Sequence, residues 1–201
     1  MDIFHATDPA GGSIKYLEQA YVSFKPPKGK GFQLDFGKFV TSAGAEVTET
    51  HLNWNYSRSF LYANGPYYHF GLRTTMPVGK YWTGGVQVVN GWNNVEDNNT
   101  GKTVGLTSAV VTKKASWFAN YYVGPEKNGT NTGNRNFFDT VLLLTPNDKV
   151  NVSFNYDYGQ DKRLGSGADV FQGFAGMAHF VLSEHWSISP RLEWYRDGDG
   201  F

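Results

Sequence analysis

Apolar and polar residues alternate along much of this chain with the period of two that is typical of a β-strand. In the clearest run, residues 150–158, apolar side chains at even positions alternate with Asn151, Ser153, Asn155 and Asp157 at odd positions. A strand places the two sets on opposite faces, whereas a helix would scatter both around its circumference. The run therefore predicts a strand with one apolar and one polar face.

Similar patterns predict about ten strands and no helix. The predicted strands cover residues 14–24, 32–40, 67–76, 81–90, 102–112, 116–123, 137–146, 150–158, 168–182 and 186–194. Three of these runs are imperfect. Glu18 breaks the alternation of the first, and the apolar stretch from Val141 to Leu144 hides which face of its strand is polar. Pro190 removes a backbone hydrogen-bond donor from the last.

The connections between the predicted strands are alternately short and long. Short links cover residues 25–31, 77–80, 113–115, 146–149 and 183–185, and longer Gly/Asn-rich links cover 41–66, 91–101, 124–136 and 160–167. Every second hairpin then emerges on the same side of the sheet. This predicts an all-β fold, an up-and-down antiparallel transmembrane β-barrel with short periplasmic turns and long external loops. A soluble sandwich with Greek-key connections is not expected to show this alternation of short and long connections.

Strand length and aromatic placement favour the same fold. The runs mostly have the length of about 9 to 11 residues that crosses a bilayer when tilted, rather than the roughly 5 or 6 of an ordinary soluble strand. Amphipathic rings near strand ends form the interfacial girdles of membrane barrels. The candidates are Trp82, Trp117, Trp186, Trp194, Tyr67, Tyr68, Tyr121, Tyr122 and Tyr158.

Composition agrees with a chain that has one lipid-facing and one wet face. The mean hydropathy is only −0.45 although 16% of residues are aromatic, as expected when apolar and polar side chains alternate. Acidic and basic residues number 18 each, without a basic run, so a nucleic-acid partner is not expected. The absence of cysteine excludes disulfides, thiolate metal sites and a cysteine nucleophile.

Two further features concern export and the chain ends. No apolar stretch approaches the roughly 20 residues of a spanning helix, and Met1 to Gly12 lacks the basic and apolar regions of a secretory signal. The C-terminal segment, residues 196–201, reads as a loop, and Phe201 lacks the alternating strand that precedes the terminal Phe of outer-membrane barrels. We therefore expect a chain truncated at both ends that supplies about ten strands of a larger barrel.

Several short motifs resemble one family. Their order along the chain is Gly37-Lys38-Phe39, Tyr56-Ser57-Arg58-Ser59-Phe60, Pro66 with His69 and Gly71, Val89-Asn90-Gly91-Trp92-Asn93-Asn94-Val95 with Asp97-Asn98-Asn99, and Glu193-Trp194-Tyr195-Arg196-Asp197. Together they resemble the outer-membrane β-barrel porins of the OmpL-like type in Gram-negative bacteria, from about Tyr16 to Asp197. The resemblance implies a barrel fold and a porin-like role, and it implies no particular substrate.

In such a barrel, inward side chains determine which solutes pass, and lipid-facing side chains only anchor the protein. The predicted wet positions are Asp35, His69, Arg73, Gln87, Asn120, Asn155, Asp157, Arg191 and Glu193. Both signs of charge occur among them, so no strong ion preference is expected.

The segment 41–66 is the strongest candidate for a loop that narrows the pore, because connections of this length are usually functional or disordered. It holds Glu46, Glu49, His51 and Arg58, together with three aromatic residues. Folded into the pore, it would set acidic groups against Arg58 or Arg73 and create a transverse field that favours dipolar solutes. An ordinary external loop folded over the rim remains the alternative.

The sequence gives little support for a catalytic, metal-binding or cofactor-binding role. Glu46, Glu49 and His51 lack the spacing of a zinc helix. The stretch Gly101-Lys102-Thr103 lacks the first glycine and the strand-to-helix context of a phosphate loop. Asp97, Asn98 and Asn99 form a cluster that is common in turns, and no nucleophile elbow is present. No enzyme activity, metal or cofactor is predicted.

Three functional hypotheses follow. The first is a bacterial outer-membrane channel for passive diffusion of small hydrophilic solutes, with outer-membrane lipid and small polar solutes as partners; a homo-oligomer is allowed, but no residue requires it. The second is a soluble all-β carbohydrate-binding module with clustered exposed aromatics. The third is an outer-membrane enzyme or adhesin on the same scaffold. A continuous exposed apolar belt would separate the barrel from the soluble module.

Overall fold

A computed structural model describes residues 12–201, which form one antiparallel sheet of 11 strands. The segment examined for a secretory signal lies outside the described residues, apart from Gly12. The strands are β1 (Ala20–Phe24), β2 (Gln33–Val40), β3 (Tyr68–Pro77), β4 (Trp82–Val89), β5 (Thr103–Val111), β6 (Ala115–Pro125), β7 (Asn134–Asn147), β8 (Val150–Lys162), β9 (Ala168–Val181), β10 (Ser187–Ile188) and β11 (Arg191–Asp197).

Consecutive strands pair from β1 to β9, and both β10 and β11 pair with β9. This confirms the predicted up-and-down topology. Turns of two to four residues join β3 to β4, β5 to β6 and β7 to β8, and a longer connection, 25–32, joins β1 to β2. The connections at the opposite ends of the strands shorten along the chain, from 41–67 and 90–102 to 126–133 and 163–167, so the predicted alternation of short and long connections holds only in part. Within the described residues β1 forms a ladder only with β2, and β11 only with β9, so the sheet is open between its first and last strands.

The first and the last predicted strands differ from the observed ones. The first strand begins at Ala20 instead of Ile14, because residues 12–16 form a 3-10 turn. The last predicted strand divides into β10 and β11 around Pro190, whose nitrogen carries no proton for the ladder. The Pro190 carbonyl still accepts a hydrogen bond from Ala178 N at 3.1 Å.

The prediction of no helix was also wrong. A 3-10 turn spans Thr50–Leu52, and a short helix, α1, spans Phe60–Asn64, both within the long β2–β3 connection. The Ser59 side chain caps α1 by accepting a hydrogen bond from Tyr62 N at 3.1 Å. Such a cap stabilises the first turn of a helix. A helix this short shows too little apolar periodicity to be found from the sequence.

The sheet has two chemically different faces. On the apolar face, exposed side chains continue from strand to strand, including Val22, Phe36, Leu72, Leu106 and Leu142, whose exposed fractions lie between 36% and 76%. The polar face carries the predicted wet residues, and the register places Asp35 opposite Arg73 and Arg73 opposite Gln87. A large exposed apolar surface on one face is the belt expected of a lipid-facing barrel wall.

The aromatic residues predicted to form girdles divide into exposed and buried ones. Trp82, Trp117, Tyr121, Trp186 and Trp194 are exposed, and Tyr158 is half-buried. Tyr67, Tyr68 and Tyr122 are instead buried. Asn93 Oδ1 accepts hydrogen bonds from both Tyr67 N and Tyr68 N, which attaches the 90–102 connection to these residues.

The sheet is strongly curved, with the polar face on the concave side. In a flat sheet β3 and β6 would lie about 14 Å apart, since neighbouring strands are spaced by roughly 4.8 Å. The His69 ring of β3 nevertheless stacks on the Tyr122 ring of β6 with 5.0 Å between their centroids. Tyr122 lies over Gly105, where an added Cβ would meet the ring at 2.7 Å. Within residues 12–201, no helix is both long and apolar enough to cross a membrane.

Candidate functional site

The connection 41–66, here called the β2–β3 loop, crosses the concave polar face. Its first residues leave β2 and reach the neighbouring strands, because Gln87 Nε2 donates to Ser42 Oγ at 3.1 Å and Asn120 Nδ2 donates to the Ser42 carbonyl at 3.0 Å. Gln87 lies in β4 and Asn120 in β6. The loop therefore extends inward from the strand ends and lies against the middle of the sheet.

A buried group of acidic and amide side chains holds the next part of the loop. Gly44 N donates to Asp139 Oδ1 at 2.9 Å, and Ala45 N donates to Asn155 Oδ1 at 3.1 Å. Asn155 Nδ2 in turn donates to Asp139 Oδ1 at 3.0 Å and to Asp157 Oδ1 at 2.9 Å. Because buried polar atoms are costly to leave unpaired, these contacts fix the loop backbone against β7 and β8.

Arg191 of β11 attaches the far side of the loop. Its Nη1 donates to the Ser57 carbonyl at 2.6 Å, and its Nη2 donates to the Arg58 carbonyl at 3.0 Å. The guanidinium also contacts Glu46 at 3.4 Å and Glu193 at 2.6 Å. One wall arginine thus connects two parts of the loop and an acidic neighbour on its own strand.

Glu46 and Glu193 connect this arginine to the backbone around α1. Glu46 Oε2 accepts a hydrogen bond from Ser59 N at 2.9 Å, and Glu193 Oε2 accepts one from Phe60 N at 2.6 Å. Both acceptors lie at the start of the helix, where N–H groups have no intrahelical partner. The two carboxylates therefore satisfy donors that the loop would otherwise expose. We call Glu46, Arg191 and Glu193 the latch.

The helix α1 packs where the wall has no side chain. An added Cβ at Gly173 of β9 would lie 2.5 Å from Leu61 Cδ2, so the glycine leaves room for the Leu61 side chain, which is 2% exposed. The Phe60 ring stacks on Tyr195 of β11 with 6.0 Å between their centroids. Further along the loop, the Trp54 ring stacks on His179 of β9 at 5.8 Å. The loop therefore spans the face from β4 to β11.

The predicted partners of the acidic loop residues differ from the observed ones. Arg58 donates to the carbonyl oxygens of Val47, Thr48 and Tyr56, so it holds the loop's own backbone together. Arg73 forms a two-nitrogen contact with Asp35 Oδ2, at 3.1 and 2.9 Å. In the described residues the acid–base contact between loop and wall is made by Arg191 with Glu46, because β11 faces the loop directly.

The other predicted site residues lie in different surroundings. His69 is fully buried and contacts the Gly91 carbonyl at 2.9 Å and Thr41 Oγ1 at 3.3 Å, so it supports the start of the loop. Glu49 is half-buried and His51 is exposed at the 3-10 turn. Within residues 12–201, no group of three or more His, Cys, Asp or Glu side chains is arranged to hold a metal ion.

Two important residues were missed from the sequence. Asp139 is fully buried and accepts hydrogen bonds from Gly44, Asn120 and Asn155. Asp139 shares the odd-numbered face of β7 with Phe137 and Val141. Because that face carries both apolar and polar residues, the sequence pattern did not identify it as the polar face of the strand. Nothing local to Gly173 distinguishes it from glycines that merely relieve crowding.

A second anchor lies where the long connections leave the strands. Glu126 follows β6, and its Oε1 accepts a hydrogen bond from Thr103 Oγ1 at 2.6 Å while Oε2 accepts one from Trp92 N at 2.9 Å. Burial raises the pKa of this carboxyl above its ordinary value of 4.5, against the lowering effects of Thr103, Trp92 and Arg135. Glu126 therefore ties the 90–102 connection to the end of β6.

An up-and-down antiparallel sheet with an exposed apolar face, and with a loop folded over its concave polar face, defines the wall of a porin-like β-barrel. The chain belongs to the family described as "Putative beta-barrel porin-2, OmpL-like", whose model matches residues 3–201. This confirms the family expected from the sequence motifs. No curated protein matches the chain, and no solved structure matches it.

Proposed function

We propose that this protein is an outer-membrane channel through which small hydrophilic solutes diffuse passively, without catalytic chemistry. The observation that carries the proposal is the β2–β3 loop, which lies across a concave polar face while the opposite face of the sheet is apolar and exposed. A barrel wall of this kind encloses a polar passage and contacts lipid on its outside. The loop is the element that narrows this passage.

The predicted pore residues divide into two roles in this account. Glu49, His51 and Arg73 present charge or polar groups to the passage, whereas Glu46, Arg58, His69 and Arg191 hold the loop in place. Asp35, Asp157 and Glu193 complete the polar wall. Because Asp35, Glu46 and Glu193 each pair with an arginine, the channel is expected to discriminate only weakly between small anions and cations.

Liposome swelling tests passive diffusion directly. The intact protein, purified from outer membranes, is reconstituted into vesicles that are then placed in isotonic solutions of neutral sugars of increasing size. The proposal expects swelling rates that fall steadily with solute size and do not saturate with solute concentration. A saturable rate for one sugar only, or vesicles that remain impermeable, would contradict passive diffusion.

The constricting role of the loop is tested separately by deleting residues 47–55. The deletion removes the part between Glu46 and the residues held by Arg191, and leaves the strands unchanged. Single-channel conductance should increase and the size limit for sugars should rise. Unchanged conductance and unchanged selectivity would exclude a constriction, and would leave the loop as a structural support of the wall.

A further inference from the structure

A cavity of about 510 Å³ lies between the β2–β3 loop and the polar face of β6 to β9. Its volume falls within the range of about 300–1,000 Å³ that is typical of small-molecule sites. The loop supplies one wall, from Val40 to Tyr67, and the sheet supplies the other. Because the loop is anchored on both sides of it, the cavity is a formed feature of the fold.

One part of the cavity is apolar. Phe118, Val141, Leu143 and Met177 line it from the concave face of the sheet. Trp54 adds an aromatic ring from the loop. A passage for water and small polar solutes has no need of such a surface. An apolar group of a ligand would bury its own surface here and displace water from these side chains.

The charged groups in the cavity have a single sign. Glu46, Glu49 and Asp157 line it, and no Lys, Arg or His is among its lining residues in the described part of the chain. Glu46 is already paired with Arg191. Among residues 12–201, no basic side chain forms an ion pair with Glu49 or Asp157.

Asp157 differs from its neighbour Asp139 in the number of its partners. The two carboxylates lie on adjacent strands in direct register. Within the described chain, Asp139 accepts hydrogen bonds from Gly44 N, Asn120 Nδ2 and Asn155 Nδ2. Asp157 accepts one from Asn155 Nδ2 and also hydrogen-bonds to Asp139 through a proton that the two carboxyl groups share. The shared proton relieves the repulsion between the two carboxyl groups, and a cation in the cavity would relieve it in the same way by taking the place of that proton.

We infer that this cavity binds an organic cation that carries an apolar group, with the ammonium or guanidinium toward Asp157 and Glu49 and the apolar group against Phe118, Val141 and Leu143. The inference rests on the proposed function, because the ligand reaches the cavity through the channel. It adds a preferred class of solute to a wall that otherwise discriminates weakly.

Three ligands of similar shape and different charge test the inference: benzylammonium, benzyl alcohol and benzoate. Binding to the intact protein in detergent is measured by calorimetry at neutral pH, where benzylamine is protonated. Benzylammonium should bind at least about tenfold more tightly than the neutral alcohol, since a charge-assisted hydrogen bond is replaced by a neutral one. Benzoate should bind more weakly than either. Equal binding of all three, or none, would overturn the inference.

Matched variants identify the site. Asp157→Asn and Glu49→Gln should each weaken benzylammonium binding by about tenfold, while Asp148→Asn removes one negative charge from an exposed turn and should leave binding unchanged. Leu143→Trp fills the apolar part and should abolish binding of both benzylammonium and benzyl alcohol without changing the charge. An equal effect of Asp148→Asn and Asp157→Asn would overturn the site.

Conductance recorded on the same preparation separates the two proposals. Discrete channels without benzylammonium binding would overturn the cation site and leave the channel intact. Binding that depends on Asp157 in a protein that conducts nothing would uphold the site and overturn the channel.

Discussion

The Arg191 guanidinium lies 3.4 Å from the Glu46 carboxylate, although 145 residues separate them in the sequence. The contact joins the last long strand to a loop that begins after the second. It also shows how the polar face is organised, because the loop is held by wall residues on both sides and does not simply hang over the rim. The proposed constriction of the channel depends on this contact.

Replacement of Arg191 tests the latch. Arg191→Ala removes its hydrogen bonds to Ser57 and Arg58 and leaves Glu46 and Glu193 without their basic partner. Each lost hydrogen bond to a charged group costs about 1.5–3 kcal/mol, so the loop should leave the wall. Single-channel conductance should rise and become noisier. Arg196→Ala is the control, because Arg196 is exposed on the same strand; equal conductance changes in the two variants would refute the latch.

Gly173 provides a second test that leaves all charges in place. Gly173→Val adds carbon atoms where Leu61 Cδ2 would lie 2.5 Å from the first of them. The helix α1 should be displaced, which would expose the loop to proteases and raise conductance. Gly176→Val is a matched change on the same strand, at a glycine with no atom closer than 3.4 Å to an added Cβ. Protection of the loop in both variants would show that α1 does not depend on Gly173.

The apolar face can be tested by placing a charge on it. Leu106 of β5 is 52% exposed, and Leu106→Arg should destabilise the lipid-embedded protein by about 2–4 kcal/mol if the residue lies near the bilayer midplane. Urea unfolding in lipid vesicles measures the effect. Leu164→Arg adds the same charge at an exposed loop position and should cost much less. Similar losses in both variants would contradict the lipid-facing assignment.

Glu126 gives the protein a defined pH dependence. Since burial raises its pKa in the folded protein, the folded state holds the proton at a higher pH than the unfolded chain. The associated stability is fully present below the ordinary value of 4.5 and is lost as the pH rises through the raised value. Glu126→Gln should therefore flatten the fall in unfolding free energy over this window. Glu96→Gln, at an exposed position in the neighbouring connection, should leave that fall unchanged.

Much of the wall could be predicted from the sequence. The alternation of apolar and polar residues indicates which face of the sheet each side chain occupies, and the lengths of the connections indicate the up-and-down topology. The odd-numbered polar residues of β8, from Asn151 to Asp157, lie together on the concave face as predicted. The Val141–Leu144 run remained ambiguous for a physical reason. Val141 lines the cavity on the polar face while Leu142 is exposed on the other face, so both faces of β7 carry apolar side chains at this point of the strand.

The path of the loop could not be predicted, because it depends on contacts between distant residues. Length and composition identified residues 41–66, but not which wall residues would meet them. From the sequence alone, Arg73 was as reasonable a partner for Glu46 and Glu49 as any other basic residue of the wall. In the structure it pairs with Asp35 instead. The helix α1 was missed since its stability comes from the Ser59 cap and from Leu61 packing over Gly173, rather than from its own sequence.

Planar-bilayer conductance of the intact protein, purified from outer membranes and refolded in detergent, shows whether it forms a channel. We expect discrete conductance steps from protein whose strand content is verified by circular dichroism, with larger steps for Arg191→Ala than for Arg196→Ala. A water-soluble β-protein that neither partitions into membranes nor produces conductance steps would exclude an outer-membrane channel.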